Sequence, residues 1–223
     1  MKKTLTLLFA VFIALSSYSQ DWESGDINKK SYVRFGLATP TYKYYGFKGK
    51  SDFENTFNIK NRIGGIFEVG TIFPINSLNI ADHMRIGINA DWVSIKGHIF
   101  NLEDSEVLYN YFAQSKVGLA FTYAPARAVS IDVYGKVIPV WAAGTYYSHD
   151  DDDSDKDHYR GYMQVMYSTG VNVKFAFIMV GFEYEFGSLK LKNADGDYLG
   201  NSNDANSKKT PMPGFNLTFG FSF

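Results

Sequence analysis

The residues with the types and spacing for chemistry are charges placed at alternate positions of otherwise apolar runs. They are Arg34, Arg62, Glu68, Arg85, Asp91, Lys116, Asp132, Lys136, Lys174, Glu183 and Glu185. Six bases oppose five acids. Glu183 and Glu185 resemble a carboxylate pair for general acid–base work, since on a strand they share one face about 6.5–7 Å apart. The bases around them favour a different use, because buried charges must be paired and a lone one costs about 3–5 kcal/mol. The set therefore reads as an ion-pair network, with a narrow polar channel or gate as the functional alternative.

A second candidate is the run from His149 to His158, with six aspartates between Asp150 and Asp157. Oxygen-rich clusters suit Ca²⁺, which takes six to eight oxygen ligands. The helix–loop–helix calcium pattern fails here: no glycine sits at the required turn and no glutamate closes the loop. A solvated charge run is the expectation, with no metal and no cofactor. The stretch Asn193–Asp197 is a weaker divalent-ion candidate. With no cysteine, disulfides and thiolate metal sites are excluded.

The elements that must position the charges show a period of two. Phe215, Leu217, Phe219, Phe221 and Phe223 alternate with Asn216, Thr218, Gly220 and Ser222. The same alternation recurs around Val33–Leu37, Ile63–Val69, Met84–Trp92, Val117–Tyr123, Val129–Val137, Val165–Phe175 and Val180–Phe186. About eight strands result. Links near Pro125–Arg127 and Phe177 are tight, and that from Phe73 to Asp82 is modestly longer. Residues 40–60, 99–110, 148–160 and 190–211 make longer, more polar connections. The stretch Val137–Ala143 departs from alternation, which predicts a bulge at Pro139 or a hydrophobic mouth.

The first residues read as an export signal. Lys2 and Lys3 precede an apolar run from Leu5 to Leu15, followed by Ser17-Tyr18-Ser19 as a small-x-small cleavage site. The expected domains are a signal peptide over 1–19, a short N-terminal periplasmic segment over 20–30 and a barrel over 31–223. Removing 1–19 leaves 20 bases against 23 acids, a net charge of −3 that gives no reason to invoke nucleic acid. Aromatics make up 17% of the chain while mean hydropathy is −0.18, which suits a wall apolar outside and polar inside. A soluble sandwich is the alternative, but a charged inner face is a poor dry core.

The C-terminal strand, ending on Phe223, resembles that of bacterial outer-membrane proteins. The resemblance implies that Phe219, Phe221 and Phe223 form the signal read by the barrel-assembly machinery. Over residues 31–223 the chain resembles the small outer-membrane barrels of the OmpA-domain, OmpX and OmpW type. That implies an all-β, closed antiparallel transmembrane barrel of about eight strands in the bacterial outer membrane. Both termini are then periplasmic, the long loops extracellular, and lipid and lipopolysaccharide the immediate partners.

The expected role is structural or surface-interacting, with a salt-bridged interior and an unknown surface ligand. The alternatives are a narrow channel for small polar or hydrophobic solutes and, more distantly, a lipid A-modifying enzyme. That enzyme class needs a His with a Ser or Asp at the outer leaflet, and none of His83, His98 (near Ser94), His149 or His158 sits in such a motif. No catalytic role is expected. Tyr42, Tyr44, Tyr45, Tyr111, Phe112, Trp141, Tyr146, Tyr147, Tyr159 and Tyr162 are expected at the outer rim as an aromatic girdle.

Overall fold

The structure is a computed structural model that describes residues 30–41, 61–81, 83–101, 107–126, 128–147, 156–193 and 210–223. The expected signal peptide and most of the N-terminal segment lie outside the described residues. The strands are β1 (Lys30–Pro40), β2 (Asn61–Ala81), β3 (Met84–Asn101), β4 (Val107–Ala126), β5 (Val129–Tyr147), β6 (Lys156–Phe175), β7 (Ile178–Phe186), β8 (Ser188–Leu189), β9 (Leu191–Asn193), β10 (Thr210–Pro211) and β11 (Gly214–Ser222). Every pairing is antiparallel.

Among the described residues the wall is a closed ring of eight staves. Each of β1 to β6 pairs with the next, β7 pairs with β6 and β11, and β11 returns to β1. Closure gives every stave two neighbours, so that no stave is a free edge of the sheet, the condition for strands in a bilayer. The short pieces prolong the last staves: β8 pairs with β10, and β9 with β6. The start of β1 and the chain's last residue meet at one rim, where Ser31 and Phe223 exchange backbone hydrogen bonds of 3.0 and 2.8 Å. That rim also carries the short connections from β2 to β3, from β4 to β5 and from β6 to β7, where strands end at Ala81, Ala126 and Phe175 and the next begin at Met84, Val129 and Ile178.

Alternation sets the faces. Arg34 is 1% exposed and its neighbour Phe35 is 53% exposed. The outer face is a belt of Phe35, Leu37, Phe67, Leu119, Val133, Val173, Phe182, Leu217, Phe219 and Phe221, among others. Aromatic pairs knit neighbouring staves across it. Phe35 and Phe219 meet edge-on at 6.1 Å across the closing seam, and Phe182 stacks on Phe215 at 5.6 Å.

Several strands differ from the sequence expectation. β2 runs on to Ala81, so the supposed link from Phe73 to Asp82 is mostly strand with irregular register. β3 continues to Asn101 and β4 starts at Val107, which shortens the loop expected over 99–110 to 102–106. β6 begins at Lys156, so the loop expected over 148–160 shrinks to 148–155, and those residues lie outside the description. At 18–21 residues, β2 to β6 are about twice the 9–11 needed to cross a bilayer, and their far ends run beyond it.

Bulges cause the remaining differences. Val69 pairs with Val93 and Gly70 with Asp91, which leaves Trp92 as a surplus residue in β3. Inward positions are therefore odd before it (Arg85, Asn89, Asp91) and even after it (Ser94, Lys96, His98). The Trp92 indole donates to the Thr71 hydroxyl at 3.1 Å and stands edge-on to Phe73 at 5.9 Å, beside the buried Ala90. Around Pro139 the alternation does not break after all. Val137 and Trp141 face out, while Ile138, Val140 and Ala142 are buried apolar residues of the interior. The bulge sits one step on and in the neighbouring strand, where Val140 pairs with Gln164 but Ala142 with Gly161.

Candidate functional site

The middle of the lumen holds a compact layer of charges delivered by six staves. Arg34 and Glu68 are cross-strand partners, as are Asp91 and Lys116, so adjacent strands present opposite charges side by side. Arg34 Nε lies 2.5 Å from Glu68 Oε2, a coulombic contact in which the N–H does not aim at that oxygen. Arg34 Nη2 lies 3.4 Å from Glu183 and 3.6 Å from Asp91, and Nη1 donates to Asn172 Oδ1 at 2.9 Å.

Lys116 is the hub. Its ammonium is 2.7 Å from Glu68 Oε1 and 2.7 Å from Glu185 Oε1, and it also pairs with Glu183. Lys136 Nζ sits 2.6 Å from Asp91 Oδ2 and 3.9 Å from Glu183 Oε2. Neutral groups occupy the remaining carboxylate lone pairs. Tyr134 donates to Glu183 Oε2 at 2.9 Å, Asn216 to Glu185 Oε1 at 2.8 Å and Ser94 to Glu68 Oε1 at 3.1 Å. Tyr32 donates to Asp91 and, at 2.8 Å, to Asn89 Oδ1. All these side chains are buried.

The structure thus brings together Arg34, Glu68, Asp91, Lys116, Lys136, Glu183 and Glu185. Asp132 and Lys174 form a separate pair at 2.8 Å nearer the hairpin rim, where Thr122 donates to Asp132 at 2.7 Å. Arg85 is buried close to that rim, opposite Thr122. Arg62 lies in β2 opposite Phe100, and its side chain falls outside the description. Phe219, Phe221 and Phe223 all face outward.

Lys96 belongs to the layer through its pair with Glu185, and sequence reasoning missed it. Its signal was present: Ile95 and Ile99 alternate with Ser94, Lys96 and His98. The strand reading stopped at Trp92, where the bulge inverts the parity. Phe112 was misassigned to the rim. It is buried inside, within 5.1 Å of Lys96 Nζ and 5.4 Å of the His98 ring. Tyr111 and Trp141 do face outward. Tyr42, Tyr44 and Tyr45, and the side chains of Tyr146, Tyr147, Tyr159 and Tyr162, lie outside the description.

Chemically the layer is self-neutralising. Glu183 and Glu185 both contact Lys116, so each is ion-paired within the layer. His83 and His158 are exposed, and His149 is outside the description. Ser94, which shares His98's inward face, is committed to Glu68 and, at 3.3 Å, to Gln114. Among the described residues no group of three His, Asp or Glu could hold a metal ion.

Neither protein-family models nor curated protein sequences give a match to this chain. Solved structures do. The outer membrane protease OmpT from Escherichia coli is similar over 92% of this chain and 99% of its own, at 12% identity and a TM-score of 0.50. This is the fold of an outer-membrane β-barrel protein. The attachment invasion locus protein Ail of Yersinia pestis covers 88% of this chain and 100% of its own, at 14% identity and a TM-score of 0.47. A major outer membrane protein from Thermus thermophilus covers 87% and 99%, at 10% identity and 0.47. At such identities the likeness concerns the barrel alone. An outer-membrane barrel accounts for the inverted arrangement seen here, with charges inside and aromatics facing lipid.

Proposed function

We propose that this chain is an outer-membrane barrel whose lumen is shut by its own ion pairs and whose long-loop end is displayed at the cell surface, in a structural or surface-interaction role. The observation that carries this reading is the buried hub at Lys116, which draws Glu68, Glu183 and Glu185 to one point of the lumen. An eight-stranded barrel has an interior only wide enough for side chains to fill. In this reading residues 1–19 are the export signal, both termini face the periplasm, and Phe219, Phe221 and Phe223 are read by the barrel-assembly machinery. Outer-membrane lipid and lipopolysaccharide surround the aromatic face. A surface ligand meets the segments that follow β1, β3, β5 and β9.

One observation favours a narrow polar channel instead. Among the described residues, Gln114 Nε2, Ser168 Oγ and Asn172 Nδ2 are buried without a hydrogen-bond partner, and such groups call for water. Conductance of the purified protein in planar bilayers separates the two readings. The closed barrel gives a flat baseline, and reproducible single-channel steps would replace it with the channel. The reading also assigns no catalysis, so lipid A from cells with and without the protein is expected to have the same mass spectrum.

A further inference from the structure

Among the described residues, one seam of the barrel wall is closed by a side chain rather than by backbone. β6 and β7 pair without interruption from Phe175–Ile178 to Tyr167–Phe186, and pairing resumes only at Gly161–Leu191. Between these points, residues 162–166 of β6 face residues 187–190 with no backbone bridge. The Gln164 side-chain amide fills the gap. Its Nε2 donates to the Lys190 carbonyl at 2.9 Å, and its Oε1 accepts from the Lys190 N–H at 2.6 Å. A side chain thereby makes the two bonds a facing peptide would make.

The chain is shaped to leave this gap. Gly187 has φ +148°, a backbone state that side-chain-bearing residues rarely adopt. A Cβ there would come within 3.1 Å of the Met166 Cα. Strand seven kinks at this glycine and turns its next bonds elsewhere: Gly187 O accepts from Met212 N at 2.9 Å, and β8 pairs with β10 instead of β6.

Both sides of the seam are apolar. Met163, Val165, Tyr167 and Phe186 are exposed on the outer face, with Tyr167 stacked on Phe186 at 5.9 Å. Behind the seam, Met166, Leu189, Ile138 and Val140 are fully buried, and Met166 pairs with Ile138. This apolar level lies on the long-loop side of the charged layer. Methionine is the side chain that yields most readily to an irregular guest. Lys190, exposed at the edge, offers a cation to an anionic headgroup.

We propose that the Gln164 seam is a lateral portal through which one linear acyl chain of a lipid or fatty acid passes from the bilayer into the apolar level of the lumen. The charged layer beneath blocks its onward path, so the seam serves binding rather than axial transport. This goes beyond the closed-barrel reading and does not require conductance.

The test is photolabelling of the full-length protein in vesicles. One arm carries a phospholipid with a diazirine on its acyl chain, the other a free diazirine fatty acid. Adducts are mapped to residues by fragment-ion mass spectrometry. Labelling of outward Met163, Val165, Tyr167 and Phe186 is expected in both arms and shows that the probe reached the wall. Adducts on inward Met166 or Leu189 in either arm support the portal, and the arm identifies the source. Gln164→Ala, which removes both closing bonds, is expected to raise inward labelling about tenfold. Gln164→Glu, which retains an acceptor for the Lys190 N–H but no donor for its carbonyl, is expected to give an intermediate rise and to assemble if the alanine variant does not. Outward labelling with no inward adduct in the wild type and in whichever variant assembles would overturn the proposal.

Discussion

The inner and outer faces of the wall are made by the same strands and held by different rules. Outside, Val133 and Phe182 need only be apolar, because lipid asks nothing more specific of them. Inside, each charge depends on named partners from distant strands. Lys116 on β4 answers Glu68 on β2 and Glu183 and Glu185 on β7. The outer face therefore tolerates exchange among apolar residues, whereas one inner substitution strands several opposite charges at once.

The largest expected effect comes from breaking the inner rule at its hub. Lys116→Met leaves three carboxylates short of a cation, and unfolding in lipid vesicles is expected to show a loss of about 3–5 kcal/mol. Breaking the outer rule costs slightly less. Phe182→Arg or Val133→Arg puts a charge into lipid and is expected to lose about 2–4 kcal/mol near the midplane. Inside, Lys174→Arg keeps a cation against the buried Asp132 and should lose less stability than either outward substitution. Equal losses at Val133 and Lys174 would mean that the two faces do not differ as described.

A smaller effect sharpens the role of parity. Deleting Trp92 removes the surplus residue of β3, so Asp91, Ser94 and Lys96 all keep their inward positions. The shortened protein is expected to remain inserted and heat-modifiable on gels, and failure to assemble would show that the bulge itself is required. The smallest effect lies beyond the wall. Replacing 148–155, with its aspartates, by a Gly-Ser stretch should leave stability within about 0.5 kcal/mol. A rise in melting temperature with millimolar Ca²⁺ in the intact protein alone would instead make that segment a metal site.

Much of the wall could be read from period-two alternation, because lipid outside and charge inside impose opposite demands on successive residues. Arg34, Asp91, Lys136 and Glu183 followed directly from that rule. The rule failed wherever the backbone gains or loses a residue. Lys96 and His98 were hidden behind the Trp92 bulge. Tyr32 and Tyr134 carry no charge, and their hydroxyls earn a place in the layer only through the folded positions of Asp91 and Glu183. The Gln164 seam was invisible for a related reason. No sequence period marks a side chain that takes over backbone bonding, and its partner at Lys190 depends on the kink at Gly187. Loop boundaries were misplaced because polar strand ends such as Lys156–His158 look like loop until their partners on β5 are known.

The claim at the centre of this account is that the charged layer acts as one mutually compensating unit. A double-mutant cycle on Lys116→Met and Glu183→Gln, measured by reversible unfolding in lipid vesicles, tests it most directly. The account predicts that the second change recovers part of the loss from the first, with a coupling energy of about 1–3 kcal/mol. Strictly additive losses would contradict it, because they would mean that Lys116 and Glu183 share the lumen without stabilising each other.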